Sequence, residues 1–211
     1  MNNSVSNAGR LLWAAFRMLL VMTVVTGVLY PLAVTGAAQG LFGGRANGSL
    51  VVSDGREVGS ELIGQNWNLP KADPGDGNEA ARPDPAWFQP RPSHSGYDPL
   101  ATGSGQLGAD DPTLVRTVGE AKRRVAAFNG VPESAVPEDA VTGSASAVDP
   151  HISPAYARIQ VERVARANGL SPQRVGALVE SHTEDRTAGF LGEPHVNVLL
   201  LNLAVRELSR N

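Results

Sequence analysis

A charge-free stretch near the N-terminus constrains the fold of this chain most. From Met18 to Gly44 there is no Asp, Glu, Lys or Arg. As a helix the stretch would be about 40 Å long, whereas about 20 apolar residues are enough to cross the hydrocarbon core of a bilayer. We therefore predict one transmembrane helix, with an N-terminal tail over 1–10, an anchor over 11–40 and one soluble domain over 41–211.

Two other interpretations of this stretch remain open. A cleaved secretory signal needs small residues before its cleavage site, and Gly36 and Ala38 could provide them. A buried helix of a soluble protein would also be apolar. Tyr30 and Pro31 lie where an anchor would carry an interfacial aromatic residue and a kink or helix end.

The flanking charges predict the orientation of the anchor. Arg10 and Arg17 precede the stretch, whereas Arg45 and Arg56 follow it at a somewhat greater distance. Cytoplasmic flanks carry an excess of Lys and Arg. The slight bias predicts a cytoplasmic N-terminus and an extracytoplasmic soluble domain.

Composition excludes some classes of function. A net charge of -3 argues against a nucleic-acid surface, which requires clustered Lys and Arg. The chain has no cysteine, which excludes thiolate catalysis and cysteine-ligated metals.

The soluble region is predicted to be an α+β domain, because strand signals come first and helix signals later. Asp54-Gly55 predicts a hairpin, and 61–67 and 140–142 are predicted to be further strands. The segment 69–86, rich in Pro, Gly and charge, is predicted to be a mobile loop from which Trp87 and Phe88 return the chain to the core.

Helix signals dominate the rest of the chain. Apolar residues at helical spacing predict a helix over 112–128, which Asn129-Gly130 ends. Serine caps followed by proline predict helices over 154–168 and from Pro172, with Gly169 as a stop between them. A final helix over 196–208 is apolar on most sides and is predicted to lie at the centre of the core.

One polar stretch could be interpreted as a hydrolase site. It contains Ser144, Ser146, Asp149, His151 and Ser153. Triad members are normally brought together by the fold, so their proximity in sequence does not indicate a triad, and the chain has no Gly-x-Ser-x-Gly elbow. We favour a loop whose Ser and Asp side chains satisfy backbone donors before a capped helix.

Other catalytic and binding signals are weak. The four histidines form no familiar metal-ligand spacing, so we predict no metal site, and no pair of carboxylates stands out as a general acid and base. The glycine-rich segment 103–108 precedes a helix but lacks the Gly-Lys-Ser/Thr of a phosphate loop, which favours a turn-rich surface loop. A single-span protein with no evident catalytic residues is typical of an accessory subunit.

Several segments together resemble one family, the KdpC family of the Kdp-type potassium-transporting P-type ATPase. Each motif is short, but their order and spacing match that family over nearly the whole chain. One departure is the segment 69–86, which is inserted between two motifs that are almost adjacent in the family. The matching motifs are 26–31 (TGVLYP), 46–50 (ANGSL), 59–66 (GSELIGQN), 91–93 (RPS), 97–99 (YDP), 141–146 (VTGSAS), 149–154 (DPHISP), 163–167 (RVARA), 191–198 (LGEPHVNV) and 201–204 (LNLA).

The resemblance implies a non-catalytic subunit of a high-affinity potassium uptake pump in the bacterial cell membrane. Its expected partners are a channel-like potassium-binding subunit and an ATP-hydrolysing P-type subunit. The family is described as a catalytic chaperone that raises the ATP affinity of the hydrolysing subunit, with ATP held in a ternary complex. The proposed nucleotide contact is a Gln in a Gly/Ser-rich stretch, and Gln106 is the nearest counterpart. An extracytoplasmic domain could not touch cytoplasmic ATP and would act through the span or by capping the potassium entrance.

Two alternatives from other classes remain. A membrane-anchored extracytoplasmic hydrolase would use His151, Asp149 and a serine between 144 and 153. A free-standing binding module anchored to the membrane is the second.

Overall fold

The computed structural model describes residues 3–73, 75–76, 79–105 and 107–210. The chain divides into two compact units, Met1–Leu50 and Val51–Asn211. The first unit is helical, and the second combines helices with two small sheets. This architecture confirms the predicted α+β class with a long N-terminal apolar helix.

The first unit is a long helical stretch with a kink at Phe42, whose φ of -139° and ψ of 42° are not helical. Helix α1 (Asn3–Val24) continues through a π-helical segment (Val25–Leu29) into helix α2 (Tyr30–Ala46). Between Asn7 and Ala46 it is long and apolar enough to cross a membrane, and its most apolar window buries no residue within the structure. A core helix of a soluble protein would bury one face, so the exposure argues against that alternative, whereas a span and a secretory signal both fit it.

The helix does not end at Pro31, contrary to one of the two alternatives that we predicted there. Proline has no backbone N–H and cannot donate to the carbonyl four residues earlier, and the π-helical segment ends at Leu29, with Tyr30 between it and Pro31. The hydroxyl of Thr26 donates to the carbonyl of Met22 at 2.7 Å inside this region. The helix ends instead at Ala46, where the Asn47 amide donates to the carbonyl of Gly43 at 2.8 Å.

The second unit begins with the predicted hairpin. Strands β1 (Leu50–Ser53) and β2 (Arg56–Ser60) flank Asp54-Gly55, and both turn residues have positive φ, at 52° and 74°. The predicted strand over 61–67 is wrong, because this segment is irregular apart from a single bridge between Ser60 and Ile63.

The described part of the segment 69–86 is closed at its base. The N–H of Leu69 donates to the carbonyl of Arg82 at 2.8 Å, and that of Asp84 donates to the carbonyl of Trp67 at 3.0 Å. The mobility of the segment stays a prediction. Its predicted return to the core is confirmed, because Phe88 is completely buried.

Helix α3 (Pro112–Asn129) ends at Gly130, as predicted, and the Asp111 side chain, which we did not predict as a cap, caps its start. The predicted strand over 140–142 is wrong. A 3₁₀ turn (Glu138–Ala140) takes its place, following another 3₁₀ turn (Glu133–Ala135). Both the N–H and the hydroxyl of Thr142 donate to the carbonyl of Glu138, which fixes this turn rather than a strand.

The C-terminal third holds a three-stranded antiparallel sheet and three helices. The elements are β3 (His151–Ile152), α4 (Pro154–Asn168), α5 (Pro172–Ser181), β4 (Thr183–Glu184), β5 (His195–Asn197) and α6 (Val198–Arg210), and the strand order is β3-β5-β4. Ser153 and Ser171 cap α4 and α5, as predicted. The last helix starts later than predicted, because the three residues before it pair with β3 and β4. Its central position is confirmed by five buried residues, Val198, Leu199, Leu201, Asn202 and Val205.

Buried polar side chains hold the segment after the loop against the helices. Asn202 accepts from the N–H of Phe88 and donates to its carbonyl, and Gln160 makes the same reciprocal pair with Gln89. The guanidinium of Arg163 donates to the carbonyls of Pro85 and Trp87 at 2.7 and 3.0 Å. These bonds satisfy backbone groups that could not otherwise be buried.

Candidate functional site

A groove runs between α3 and two loops rich in glycine and serine. Its volume is about 540 Å³, which lies in the range of small-molecule sites. Helix α3 contributes one wall and the loops contribute the other. The helix residues are Leu114, Thr117, Val118, Ala121 and Arg124, and the loop residues are Pro92, Ser93, His94, Ser104, Gly105, Leu107, Val141, Thr142, Gly143 and Ser144.

Bonds between the two loops set the shape of the groove. The N–H of Gly103 donates to the carbonyl of Ser146 at 3.0 Å. The hydroxyl of Ser93 donates to the carbonyl of Ala147 at 2.6 Å and accepts from the N–H of Tyr97. Tyr97 and Ala147 are both buried with positive φ, so the backbone at this point adopts a conformation that L-residues rarely adopt.

Gln106 lies outside the described residues, so its predicted contact with a nucleotide has no geometry here. Its neighbours Gly105 and Leu107 line the groove. The described wall offers the guanidinium of Arg124, a group able to bind an anion. Three hydroxyls of the wall already donate to backbone carbonyls, those of Ser93, Thr117 and Thr142.

In the adjoining loop, Arg91, Asp149 and His151 form one charged cluster. Arg91 donates to the Asp149 carboxylate at 3.3 Å, and the His151 ring lies 3.2 Å from its other oxygen. Burial by itself raises the pKa of Asp149, but the hydrogen bonds from His151 and the charge of Arg91 outweigh it and hold that pKa below its ordinary value. Arg91 also donates to the carbonyls of Thr142 and Gly143, so this cluster fixes the loop wall.

The serines of the proposed hydrolase site have structural partners. Ser153 caps α4 and donates to Asp139 at 2.9 Å, while Ser146 lies 3.3 Å from Ser144 and accepts from a backbone N–H. Among the hydrogen bonds of the residues described, none joins a serine hydroxyl to His151. The structure brings Asp149 and His151 together, but the serines satisfy backbone groups and a neighbouring carboxylate, as the favoured interpretation predicts.

A second histidine, which sequence reasoning missed, packs against His151. The rings of His151 and His195 meet edge to face with centroids 4.5 Å apart, and His195 lies 3.7 Å from Glu184. The sequence did contain a signal, because both histidines follow an acid and a proline. Only the pairing of β3 with β5 brings the two motifs together. Within the part of the chain that the structure describes, no three His, Asp or Glu side chains are arranged to hold a metal ion.

Replacing Asp149 with Asn is expected to lower the free energy of unfolding by about 1–2 kcal/mol at pH 7, since a charge-assisted contact with Arg91 is lost. The lowered pKa means that the unfolded chain binds the proton more readily. The ionised Asp149 carboxylate therefore stabilises the folded state fully above pH 3.8, the ordinary pKa of this group. This contribution is lost as the pH falls through the lower pKa that Asp149 has in the folded state. Thermal unfolding at neutral and acid pH measures both effects.

The matched control is Asp98→Asn, at an exposed carboxylate that only accepts from a local N–H. We expect this control to change stability by less than about 0.5 kcal/mol. A variant at Asp149 that unfolds like the unsubstituted chain at both pH values would contradict the prediction.

Comparison with known proteins gives a consistent result over nearly the whole chain. Residues 12–207 match the family model of the K+-transporting ATPase c chain, KdpC. The chain is 51% identical to the potassium-transporting ATPase KdpC subunit of Streptomyces coelicolor, over 99% of this chain and 97% of that relative.

More distant relatives carry the same name. The KdpC subunit of Kineococcus radiotolerans is 46% identical over 98% of each chain, and that of Mycobacterium tuberculosis strain H37Ra is 45% identical over 94% of this chain and 99% of its own. A family match of this length, carried by a chain with one long apolar helix and an α+β domain, shows that the chain belongs to the KdpC family, the c chain of the K+-transporting ATPase.

Proposed function

We propose that this chain is an accessory subunit of a high-affinity potassium uptake pump. It stabilises the assembled complex and raises the ATP affinity of the ATP-hydrolysing subunit, with a channel-like potassium-binding subunit as its other partner. The observation that carries the proposal is the family match over residues 12–207. A single candidate span supports it, because one helix can join a multi-subunit membrane complex but forms no pathway by itself.

We place the N-terminus in the cytoplasm and the soluble domain outside it. Arg10 and Arg17 precede the span, and cytoplasmic flanks are enriched in such residues. In this orientation the domain does not meet cytoplasmic ATP. Its effect on ATP affinity then passes through the span or through the channel-like subunit, whose potassium entrance the domain covers.

The alternative route is a direct contact between Gln106 and nucleotide in a ternary complex with the hydrolysing subunit. The groove beside it supports this route, because it offers the guanidinium of Arg124 within about 540 Å³. The two routes require opposite orientations of the domain, so topology distinguishes them.

The deciding experiment measures potassium-stimulated ATP hydrolysis by the purified complex with and without this subunit, at limiting ATP. We expect loss of activity or an apparent KM for ATP raised about tenfold when the subunit is absent. Unchanged assembly, KM and potassium dependence would contradict the proposal. Turnover by the isolated chain, abolished by His151→Ala, would instead support the hydrolase alternative.

A labelling experiment distinguishes the two orientations of the soluble domain. Because the chain contains no cysteine, a single introduced cysteine is the one site that a maleimide labels. Leu100 is 95% exposed, so Leu100→Cys provides a single reactive site on the soluble domain. Reaction with a membrane-impermeant maleimide in intact cells supports the extracytoplasmic orientation, and we then expect Gln106→Ala to leave the KM for ATP unchanged. Protection in intact cells with labelling after lysis, together with a raised KM in Gln106→Ala, would establish the direct route.

A further inference from the structure

A short ribbon between β4 and β5 presents an aromatic side chain to solvent. Phe190 is 72% exposed, and the adjacent Leu191 is 55% exposed. Among the described residues from 51 to 210, Phe190 is the only exposed aromatic side chain. Leaving a phenylalanine in water forgoes the free energy of burying it, and the neighbouring Leu191 makes this a small contiguous apolar patch rather than a lone side chain.

The ribbon holds this side chain in a fixed position. Thr187 and Leu191 exchange backbone hydrogen bonds of 2.9 and 3.0 Å, which close a three-residue tip. Below the tip, Arg186 and Glu193 form an ion pair at 2.7 Å between the two limbs. The limbs continue into β4 and β5, which pair in the sheet, so the tip extends from an ordered support.

The backbone of the tip adopts an unfavourable conformation. Ala188 has φ 55°, in the left-handed region that L-residues rarely occupy, and Gly189 follows with φ 81°. A non-glycine residue in this region costs roughly 1–2 kcal/mol, and such conformations concentrate at functional sites. Fixing the tip before binding lowers the entropy lost when a partner is bound.

The charges around the tip distinguish a protein from a lipid surface. The limbs carry Glu184, Asp185 and Glu193 but only one cation, Arg186, which is paired with Glu193. Loops and helices that insert into membranes combine apolar residues with Lys and Arg, which attract anionic lipids. The acidic limbs instead match a protein surface with cations around an apolar pocket.

We propose that the ribbon 186–193, together with the acidic residues Glu184 and Asp185 at its base, is a docking element, in which Phe190 inserts into an apolar pocket with a basic rim on another protein subunit of the complex. The inference rests on the proposed assembly of this chain with other subunits. It deepens that proposal by naming the contact. Anchors of this kind, a single aromatic side chain in a pocket, carry a large share of the binding energy of an interface.

The first experiment places an environment-sensitive fluorophore on the ribbon of the full chain. Because the chain lacks cysteine, Phe190→Cys gives one labelling site, and Leu100→Cys gives a control site on another exposed loop. We expect the label at 190 to shift its emission to shorter wavelengths when the remaining subunits are added, with no shift for the label at 100.

Two outcomes would overturn the docking element. A shift of the emission of the label at 190 when the full chain is placed in vesicles of phosphatidylethanolamine and phosphatidylglycerol, without other subunits, would show that the ribbon contacts lipid instead of protein. No shift at 190 in an assembled complex whose KM for ATP depends on this subunit would remove the docking role and leave the proposed function intact. Failure of the chain to associate at all would contradict both proposals.

The second experiment measures how quickly the subunit leaves the complex. We expect Phe190→Ala to raise the dissociation rate about 10- to 100-fold, Phe190→Leu to raise it less, and Leu100→Ala to leave it unchanged. Asp185→Asn should slow association at low salt, because it removes one of the acidic charges facing the basic rim. Equal dissociation rates for Phe190→Ala and Leu100→Ala would contradict the inference.

Discussion

Replacing Arg163 with methionine is expected to lower the free energy of unfolding of the soluble domain by about 3 kcal/mol or more. The side chain is 6% exposed, and its guanidinium donates to the carbonyls of Pro85 and Trp87. It also donates to the side-chain oxygens of Asn129 and Gln160 at 2.9 and 2.6 Å. Methionine fills similar space but removes these donors. The oxygens of Gln160 and Trp87 keep a bond from Gln89, whereas the Pro85 carbonyl and the Asn129 side-chain oxygen lose their donor, and each buried unsatisfied group costs about 1–3 kcal/mol.

The guanidinium is charged although it is buried. Burial lowers the pKa of Arg163 to about 10, which still leaves the group protonated at neutral pH. Its face lies 4.4 Å from the centre of the Phe128 ring, so a cation–π contact replaces part of the lost hydration. Lysine cannot reproduce the planar fork of donors, and we expect Arg163→Lys to recover only a small part of the stability.

Thermal unfolding of the full chain in detergent measures the effect of both substitutions. The matched control is Arg166→Met on the same helix, where the side chain is exposed, and we expect a change within about 0.5 kcal/mol. If the Arg163→Met and Arg166→Met variants unfold at the same temperature, the buried guanidinium of Arg163 does not hold the segment 85–89 in place.

Gly64→Ala is expected to cost about 2–3 kcal/mol. A Cβ atom at this position would lie 2.4 Å from Cε1 of Tyr97 and 2.7 Å from the backbone oxygen of Asp149. Neither neighbour can move freely. The Tyr97 hydroxyl donates to the carbonyl of Arg91 and its N–H donates to Ser93, while the N–H of Gly64 itself donates to the carbonyl of Val148. Inserting a methyl group into such a packed site destabilises the fold.

The matched control for this prediction is Gly176→Ala on α5. A Cβ atom there would meet nothing within 4 Å, and alanine favours the helix by about 1 kcal/mol, so we expect equal or higher stability. Combining Gly64→Ala with Tyr97→Ala should cost less than the sum of the two single changes, because one clash is removed. Strict additivity would show that the ring and the glycine do not constrain each other.

Both predictions concern the same part of the domain. The segment that follows the loop is held by Arg163, Gln160 and Asn202, and the segment before it passes so close to Tyr97 that position 64 must be glycine. The loop can therefore vary between two fixed ends. This arrangement allows the segment 69–86 to differ between relatives without repacking the core.

Local signals predicted the helices well. Ser153 and Ser171 accept from backbone N–H groups at the starts of α4 and α5, and Gly130 and Gly169 adopt left-handed conformations at the ends of α3 and α4. Each of these devices depends on residues within one turn of the helix, so the sequence alone is sufficient to identify them.

Short strands were predicted poorly. The segments 61–67 and 140–142 have β-forming side chains but no neighbouring strand among the described residues, whereas β3 and β5 hold only two and three residues and exist because they pair with each other. A strand of this length carries almost no periodic signal, and its formation depends on a partner far away in sequence.

The sequence by itself determined the apolar stretch, the class of the fold, the capped helices and the family, because composition, local hydrogen bonding and ordered motifs are all properties of the linear chain. The tertiary structure alone decided that Arg163 is buried among backbone carbonyls and side-chain amides, that Gly64 has no room for a side chain, that His195 meets His151 and that Phe190 stands exposed on a closed ribbon. These features arise from contacts between distant segments, and the free energy of such contacts depends on which groups the fold brings together rather than on the residues beside them.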